Sequence, residues 1–367
     1  MNERIQRLQE ELARRQIDAL VLNPGPTLRY LTHHEFASHE RLFLLTIPAS
    51  GTPMAVVPKL EASNWREAVP EVERILLWDD SEGPDHAAAQ AFSHMTAAKR
   101  VAIEPLCFRY FEYSHLKRHL PHVEVVSADA AVQTLRLYKS AEEAGFIREA
   151  ARIAEESLET VLAGVRPGRT EREIAASLSS ELLARGGGGI SFGPIVLSGA
   201  RSALPHGVPE DRAIGAGELL LVDFGTSVHG YHSDITRTFV VGAEPDDETR
   251  RVYEAVKQAN ASGRRAAKPG ATAHEVHHLC QADLTGPEWQ GWTTHRTGHG
   301  LGLEIHEPPS IMHGSRVELR TGMVFTVEPG LYRDGWGGVR IEDDVWLTDD
   351  GCESLTTFGR DLRVVGV

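Results

Sequence analysis

One carboxylate pattern occurs twice in the second half of this 367-residue chain, and it constrains the fold more than any other feature. In the first copy, a glycine turn and an apolar run of strand length lead to Asp223, and Asp234 follows on the next strand-like run. In the second copy the same arrangement leads to Glu328 and then to Glu342. Each copy predicts an antiparallel hairpin that brings its two acids together across the ladder.

A segment upstream of each acid pair repeats as well. Residues 165–174 recur as residues 267–276, at nearly the same offset as the acids, with Pro-Gly followed by Thr and Glu in both copies. Nearly constant offsets predict one domain of two related halves that face each other. Acids that converge at the ends of apolar strands are costly unless cations meet them. Because about two divalent cations would neutralise the four acids, the pattern predicts a dinuclear metal site between the halves.

Length and composition limit the other possibilities. A chain of this length predicts two domains: an α/β domain over residues 1–133, without a phosphate-binding loop, and a second domain over residues 134–367. The second begins just before a long helix for which Ser140 and Glu143 form a capping box. Apolar content of 41% and charged content of 25% are typical of a soluble globular protein.

The charge and the cysteines indicate partners and compartment. A formal net charge of −14 argues against nucleic acid and against anionic membrane surfaces. Three scattered cysteines predict neither a disulfide framework nor a cysteine metal site, and they suit a reducing cytoplasm. The chain begins with an amphipathic helix rather than a signal peptide, and no segment has the length of a membrane span. A cytoplasmic protein is therefore expected.

The segment from Gly298 to His306 is rich in glycine and histidine and lies between the two acid pairs. Glycine allows backbone to approach a ligand closely, so His299 is predicted to join the acids as a metal ligand. A shell dominated by oxygen favours Mn²⁺, with Co²⁺ or Zn²⁺ able to substitute. The HExxH pattern at residues 274–278 is an alternative zinc site, but the repeat assigns Glu275 to a helix capping box.

In their order along the chain, the motifs VDFG, SDITRT, GHGLGLEIHE, TVEPG and RIEDD resemble those of the pita-bread metallopeptidases. That family includes methionine aminopeptidases, aminopeptidases P, prolidases and the metal-free creatinases. The resemblance covers the chain from about Leu135 onward, and the first domain resembles the creatinase and prolidase amino-terminal domain. It implies an α/β two-domain protein with a pita-bread catalytic domain of pseudo-twofold α+β architecture. The implied metal ligands are Asp223, Asp234, His299, Glu328 and Glu342, with Asp234 and Glu342 bridging two ions.

The same resemblance implies a function. His206, His295, His306, Tyr332 and Arg340 fall on the family's substrate-binding and proton-handling positions, and Arg340 is also expected to hold the carboxylate of Glu342. The implied reaction is hydrolysis of the Xaa-Pro bond at the N-terminus of short peptides, most directly dipeptides, by a homodimer. The alternatives are an Xaa-Pro aminopeptidase for longer peptides, an inactive peptide- or protein-binding module on the same fold, and a hydrolase of other amides or esters.

A dipeptidase needs a cation for the free carboxylate of the substrate's proline. The sequence suggests that this cation comes from the first domain or from a partner subunit. Arg41 is the candidate, because it lies between a histidine-rich loop and a buried strand. Its planar guanidinium would bind both carboxylate oxygens. An ordinary surface arginine is the alternative.

Overall fold

The computed structural model describes residues 3–37 and 39–367 and divides the chain into two compact units, residues 1–136 and 137–367. Within the described ranges, no helix combines the length and the apolar character that crossing a membrane requires.

The first unit alternates helices and short strands around a mixed sheet, as predicted for an α/β domain. Its elements are α1 (Glu3–Arg14), β1 (Ala19–Leu22), α2 (Pro26–Thr32), β2 (Leu44–Pro48), β3 (Met54–Pro58), a 3₁₀ helix (Lys59–Glu61), α3 (Ala62–Ala68), β4 (Arg74–Trp78), α4 (Asp85–Ser93), β5 (Arg100–Ile103), α5 (Tyr110–His119), β6 (Glu124–Ser127) and α6 (Asp129–Arg136). The strand order is β4-β3-β2-β1-β5-β6. The apolar face of α1 is fully buried through Ile5, Leu8 and Leu12.

The second unit contains two larger sheets and two small hairpins. Its elements are α7 (Ala141–Leu162), α8 (Glu171–Ala184), β7 (Ile195–Ser198), a 3₁₀ helix (Gly199–Ala203), β8 (Leu219–Phe224), β9 (Ser227–Val228), β10 (Tyr231–His232), β11 (Ile235–Val241), α9 (Asp247–Ala266), α10 (Ala273–Ala282), a 3₁₀ helix (Pro287–Trp289), β12 (Gly298–Gly300), β13 (Glu307–Ile311), β14 (Val324–Val327), β15 (Gly330–Arg333), β16 (Gly337–Arg340), β17 (Asp343–Thr348), β18 (Gly351–Ser354) and β19 (Val364–Val365). The larger sheets have the orders β19-β11-β8-β7 and β13-β12-β14-β17-β18.

The two halves predicted from the repeat are visible in this order of elements. Each half has two helices and a central antiparallel pair of strands: α7, α8 and β8–β11 in the first, α9, α10 and β14–β17 in the second. Each half also has its own hydrophobic core. Leu158, Leu178 and Val222 belong to the first core, whereas Val256 and Phe325 belong to the second.

Local sequence signals produce the equivalent elements. The predicted capping boxes are present at α7, α8 and α10, where Ser140, Thr170 and Thr272 each accept a hydrogen bond from a backbone N–H three residues on. The predicted glycine turns before β8 and β14 are also present, because Gly217 and Gly322 have φ values of 82° and 91°. Residues with side chains rarely adopt that conformation. Both halves therefore begin their central strands in the same way.

Candidate metal centre and active site

The two acid pairs occupy equivalent ends of the two central strand pairs. Asp223 lies near the end of β8, and Asp234 directly precedes β11, the antiparallel partner of β8. Glu328 directly follows β14, and Glu342 directly precedes β17, the antiparallel partner of β14. The sequence predicts simple hairpins, but each connection contains an additional small hairpin, β9–β10 or β15–β16. The strand pairing nevertheless places both acids of each half at one edge.

Hydrogen bonds between the halves fix two of these acids. The hydroxyl of Thr236 in β11 donates to Oε2 of Glu342 at 2.5 Å, and the backbone N–H of Glu342 donates to the carbonyl of Thr236 at 3.1 Å. In the opposite direction, the backbone N–H of Asp234 donates to Oδ2 of Asp344 at 3.0 Å. Because all four residues are buried, each half holds an acid of the other in a defined position.

Two glycines allow His299 to lie among the acids. His299 is the central residue of β12, a strand between β13 and β14. A Cβ on Gly298 would lie 1.8 Å from the carbonyl oxygen of Thr326, and a Cβ on Gly300 would lie 2.1 Å from that of Pro308. Side chains at these two positions would force the strands apart. The glycine pattern noted in the sequence is therefore a packing requirement of the strand that carries the histidine.

The orientation of the His299 ring leaves one nitrogen facing the acids. Nδ1 donates to the carbonyl oxygen of Gly300 at 3.1 Å, so Nε2 carries the free lone pair. Nε2 lies 3.7 Å from Oδ2 of Asp234 and 3.5 Å from Oε1 of Glu328. Burial lowers the pKa of His299 to about 3, which keeps the ring neutral. A neutral imidazole with a free Nε2 is a metal ligand.

The donor set fits divalent cations. Ligand atoms of Asp234, His299 and Glu342 all lie within 4.8 Å of one another. In the described part of the chain, Oδ1 of Asp223 and Oδ1 of Asp234 are buried without a hydrogen-bond partner. Burial raises the pKa of Asp234 and of Glu342 well above the ordinary values, and it raises that of Glu328 to about 7. A cation would favour the ionised form of all these acids.

Arg340 connects the acids to a second layer of side chains. Its guanidinium donates to Oδ2 of Asp223 at 2.6 Å, to the hydroxyl of Thr236 at 3.0 Å and to the hydroxyl of Tyr332 at 2.9 Å. The Tyr332 oxygen also lies 2.9 Å from Nε2 of His295. Since Nδ1 of His295 donates to a backbone carbonyl at 2.7 Å, Nε2 accepts the hydrogen bond from Tyr332. This hydrogen-bond network fixes the position of the Asp223 carboxylate.

The expected partner of Arg340 was wrong. The sequence predicts that Arg340 holds Glu342, because residues two apart on a strand share a face. In the structure β16 ends at Arg340, so this alternation does not continue to Glu342. The guanidinium reaches the carboxylate of Asp223 instead, and the hydroxyl of Thr236 takes the place that Arg340 was expected to fill at Glu342.

A cavity of about 590 Å³ opens in front of these residues. Apolar side chains and prolines line one part of it, including Phe192, Ile195, Val208 and Ile305. The lining also contains all the predicted metal ligands and most of the other predicted site residues: Asp223, Asp234, His299, Glu328, Glu342, His206, His295, His306 and Arg340. The ring centroid of His306 lies 4.2 Å from that of His299, whereas His206 is exposed in the loop after Gly199–Ala203.

Comparison with known protein families identifies the relatives of this arrangement. Residues 145–349 match the metallopeptidase family M24, and residues 4–138 match the creatinase/prolidase N-terminal domain. The chain belongs to metallopeptidase family M24. The predicted fold class is confirmed: a creatinase-like α/β first domain and a pita-bread catalytic domain. The prediction of a metallopeptidase is confirmed as well.

Individual M24 relatives match over almost their entire length. An Xaa-Pro dipeptidase from Pyrococcus horikoshii is 32% identical over 365 residues, which cover 99% of each chain. The crystal structure of a prolidase from Thermococcus sibiricus matches with a TM-score of 0.92 and 32% identity, covering 99% of this chain and 98% of that one. An X-Pro aminopeptidase from Thermotoga maritima matches with a TM-score of 0.84 and 29% identity, covering 98% of this chain and 99% of that one.

Arg41 belongs to the first unit of this M24 chain, and its guanidinium is engaged there. It donates to both carboxylate oxygens of Asp80, at 2.9 and 2.8 Å, and to Glu40 at 2.7 Å. A role for Arg41 at the substrate carboxylate stays a prediction. The HExxH segment begins α10, where Glu275 is hydrogen-bonded to Thr272 in the predicted capping box. Glu275 therefore has the structural role that the repeat assigned to it.

Sequence reasoning did not single out two side chains near the acids. Thr236 lies in the quoted motif SDITRT, and its position two residues after Asp234 was the available signal. Arg296 lines the cavity and immediately follows His295, three residues before His299. The orientation of Thr236 depends on contacts between the halves, which a linear pattern does not reveal.

Proposed function

We propose that this chain is a dinuclear-metal-dependent dipeptidase that hydrolyses the bond preceding proline in Xaa-Pro dipeptides. The observation that carries the proposal is the convergence of four carboxylates and His299, from both halves, on one cavity that also presents further histidines. The names of the relatives from Pyrococcus horikoshii and Thermococcus sibiricus support the choice of substrate.

The metal ligands are proposed as Asp223, Asp234, His299, Glu328 and Glu342, with Asp234 and Glu342 as bridges. Oxygen ligands favour Mn²⁺, with Co²⁺ or Zn²⁺ as substitutes. When bound, such ions lower the pKa of water enough for it to act as a nucleophile near neutral pH. The bond from Arg340 to Oδ2 of Asp223 leaves Oδ1 of that carboxylate for a cation.

The remaining residues divide into two groups. Both ring nitrogens of His295 are hydrogen-bonded, so His295 and Tyr332 act as positioning residues that hold Arg340 against Asp223. His306 and His206 line the cavity and are proposed to meet the substrate. Cleavage of an Xaa-Pro bond requires a proton at the departing proline nitrogen, and we propose that one of these two histidines supplies it. Burial lowers the pKa of His306 below its ordinary value, which favours the neutral ring.

The test is hydrolysis of Ala-Pro by the full chain loaded with Mn²⁺, with bound metal counted by elemental analysis. We expect about two ions per chain and turnover that depends on them. A protein that binds both ions but leaves Ala-Pro and Ala-Pro-Ala intact would be the peptide-binding module instead. Hydrolysis of simple esters or acyl amides without hydrolysis of either peptide would indicate the non-peptide hydrolase.

Substrate length separates the two proline-specific activities. The Thermotoga maritima relative is an X-Pro aminopeptidase, so aminopeptidase P activity on longer peptides is the second candidate. We expect a higher kcat/KM for Ala-Pro than for Ala-Pro-Ala. Faster turnover of the tripeptide would make this chain an Xaa-Pro aminopeptidase.

A further inference from the structure

The cavity is strongly acidic, and two arginines line it. Arg340 is buried, and its guanidinium is committed to Asp223, Thr236 and Tyr332. Arg296 is different, because it is exposed and its guanidinium has no hydrogen bond or ion pair with any residue in the described ranges. An arginine without an acidic partner beside a cluster of carboxylates is unexpected if its only role is structural. Its charge is available to a ligand.

The backbone that carries Arg296 is held firmly. Nδ1 of His295 donates to the carbonyl of Arg296 at 2.7 Å. The next residue, Thr297, is buried; its N–H donates to the carbonyl of Ile311 at 2.9 Å, and its carbonyl accepts from the N–H of Glu328 at 2.8 Å. Arg296 therefore lines the cavity from a backbone tied to both neighbouring strands.

Arg296 lies beside the reacting part of the cavity. It lines the same cavity as Glu328, His299 and His306. The carbonyl of the adjacent residue, Thr297, accepts from the N–H of Glu328 at 2.8 Å, so the backbone at Arg296 is next to that of a proposed metal ligand. A small substrate bound at the metal ligands would therefore share this cavity with the charge of Arg296.

We propose that Arg296 binds the free α-carboxylate of the substrate, so that the enzyme selects peptides that end at proline. This inference rests on the proposed function and names a determinant of the substrate class. In an Xaa-Pro dipeptide the carboxylate is separated from the scissile bond by a single carbon atom, so a cation near the metal site is required. The planar fork of arginine binds both carboxylate oxygens, whereas a longer peptide presents a neutral amide at that point. The selecting cation then belongs to the catalytic unit itself.

The experiment compares Ala-Pro with Ala-Pro-amide, which differ at the carboxylate alone. In the metal-loaded full chain, Arg296→Gln should lower kcat/KM for Ala-Pro by about 10- to 100-fold, mainly through KM, because a charge-assisted contact is lost. The value for Ala-Pro-amide should stay within about two-fold of wild type, since the amide forms no ion pair. Arg296→Lys should retain part of the preference, because it keeps the charge but loses the fork. Arg316→Gln, at an exposed arginine outside the cavity, is the matched control. Equal losses on both substrates, or no loss on either, would overturn the proposal.

A binding measurement separates this inference from the proposed function. Titration calorimetry of the full chain with L-proline and with L-prolinamide tests the carboxylate contact without turnover. We expect wild type to prefer L-proline and Arg296→Gln to lose that preference. If wild type fails to hydrolyse Ala-Pro but shows this pattern, the proposed function fails and the inference stands. If Arg296→Gln keeps the full preference for L-proline, Arg296 is not the carboxylate ligand.

Discussion

Replacement of Thr236 by valine tests whether contacts between the halves set the metal affinity. The Thr236 side chain is fully buried. Its hydroxyl donates to Oε2 of Glu342 at 2.5 Å and accepts from Nε of Arg340 at 3.0 Å. Valine has nearly the same shape but no hydroxyl, so Thr236→Val removes both hydrogen bonds and leaves the buried Glu342 carboxylate without this partner. The carboxylate of Glu342 would then keep its place in the fold but lose the group that orients it.

The expected magnitude follows from these two bonds. A hydrogen bond to a charged group contributes about 1.5–3 kcal/mol, and the bond to Glu342 is the one that orients a proposed metal ligand. Loss of an outer partner of a metal ligand typically lowers metal affinity by about 10- to 100-fold, which corresponds to about 1.4–2.8 kcal/mol. The two ranges agree. We therefore expect the Mn²⁺ affinity of Thr236→Val to fall by about one to two orders of magnitude.

The assay is calorimetric titration of Mn²⁺ into the metal-free protein, together with its melting temperature. Thr238→Val is the matched control, because Thr238 is also buried in β11 but hydrogen-bonds the backbone of Arg340, at 3.0 and 3.2 Å, rather than an acid. The control should lose stability but keep its Mn²⁺ affinity, and Thr236→Ser should recover most of the wild-type affinity. The reasoning is refuted if Thr236→Val binds Mn²⁺ as tightly as wild type, or if both valine variants lose affinity equally.

Four further predictions concern the acids, the histidines and the first unit. Burial raises the pKa of Glu328 from 4.5 to about 7. In the metal-free protein, the free energy of unfolding should therefore fall as pH rises between these two pKa values, because the unfolded chain releases a proton that the fold retains, and it should level off above the higher value. The melting temperature of the metal-free protein should fall over the same window, and a constant melting temperature would contradict this. Asp234→Ala should abolish turnover and reduce bound metal well below about two ions per chain, whereas retention of both would exclude Asp234 as a bridge. His206→Ala and His306→Ala should each lower kcat by about 10²-fold with little change in bound metal, and unchanged kcat would exclude proton handling. If Arg296 supplies the carboxylate-binding cation, Arg41→Ala should leave KM for Ala-Pro nearly unchanged; a rise in KM confined to Ala-Pro, with Ala-Pro-Ala nearly unaffected, would instead support the role predicted for Arg41.

The repeat in the sequence predicted the parts of this fold that depend on local chemistry. The capping boxes at Thr170 and Thr272 need only a side chain and a backbone three residues apart, so their outcome is readable from the chain alone. The glycine turns at Gly217 and Gly322 are similar, because the required φ values exclude most other residues. Pairing β8 with β11 and β14 with β17 followed from apolar runs at short separations.

Contacts made across the halves were not predictable in the same way. Alternation along a strand gave the wrong partner for Arg340, because β16 ends before Glu342 and the guanidinium reaches Asp223 from another strand pair. Thr236 was overlooked for a related reason: its carboxylate partner is 106 residues distant in sequence, and its position two residues after Asp234 does not point to Glu342. Sequence reasoning therefore found which residues gather at the site but not how they hold one another.

The two halves are also joined by a buried arginine, Arg237, which contacts residues of the second half. The guanidinium of Arg237, which is almost completely buried, donates to the carbonyl of Thr236 at 2.9 Å, to the carbonyl of Glu342 at 2.6 Å and to Oδ1 of Asp343 at 2.8 Å. Although burial opposes ionisation of Asp343, the arginines around it lower its pKa below the ordinary value, so this ion pair persists at neutral pH. Breaking a buried pair of this kind is strongly destabilising. The backbone of Thr236 and of Glu342 is thus fixed by a buried cation, so the proposed divalent ions would meet carboxylates whose backbone is already held in place.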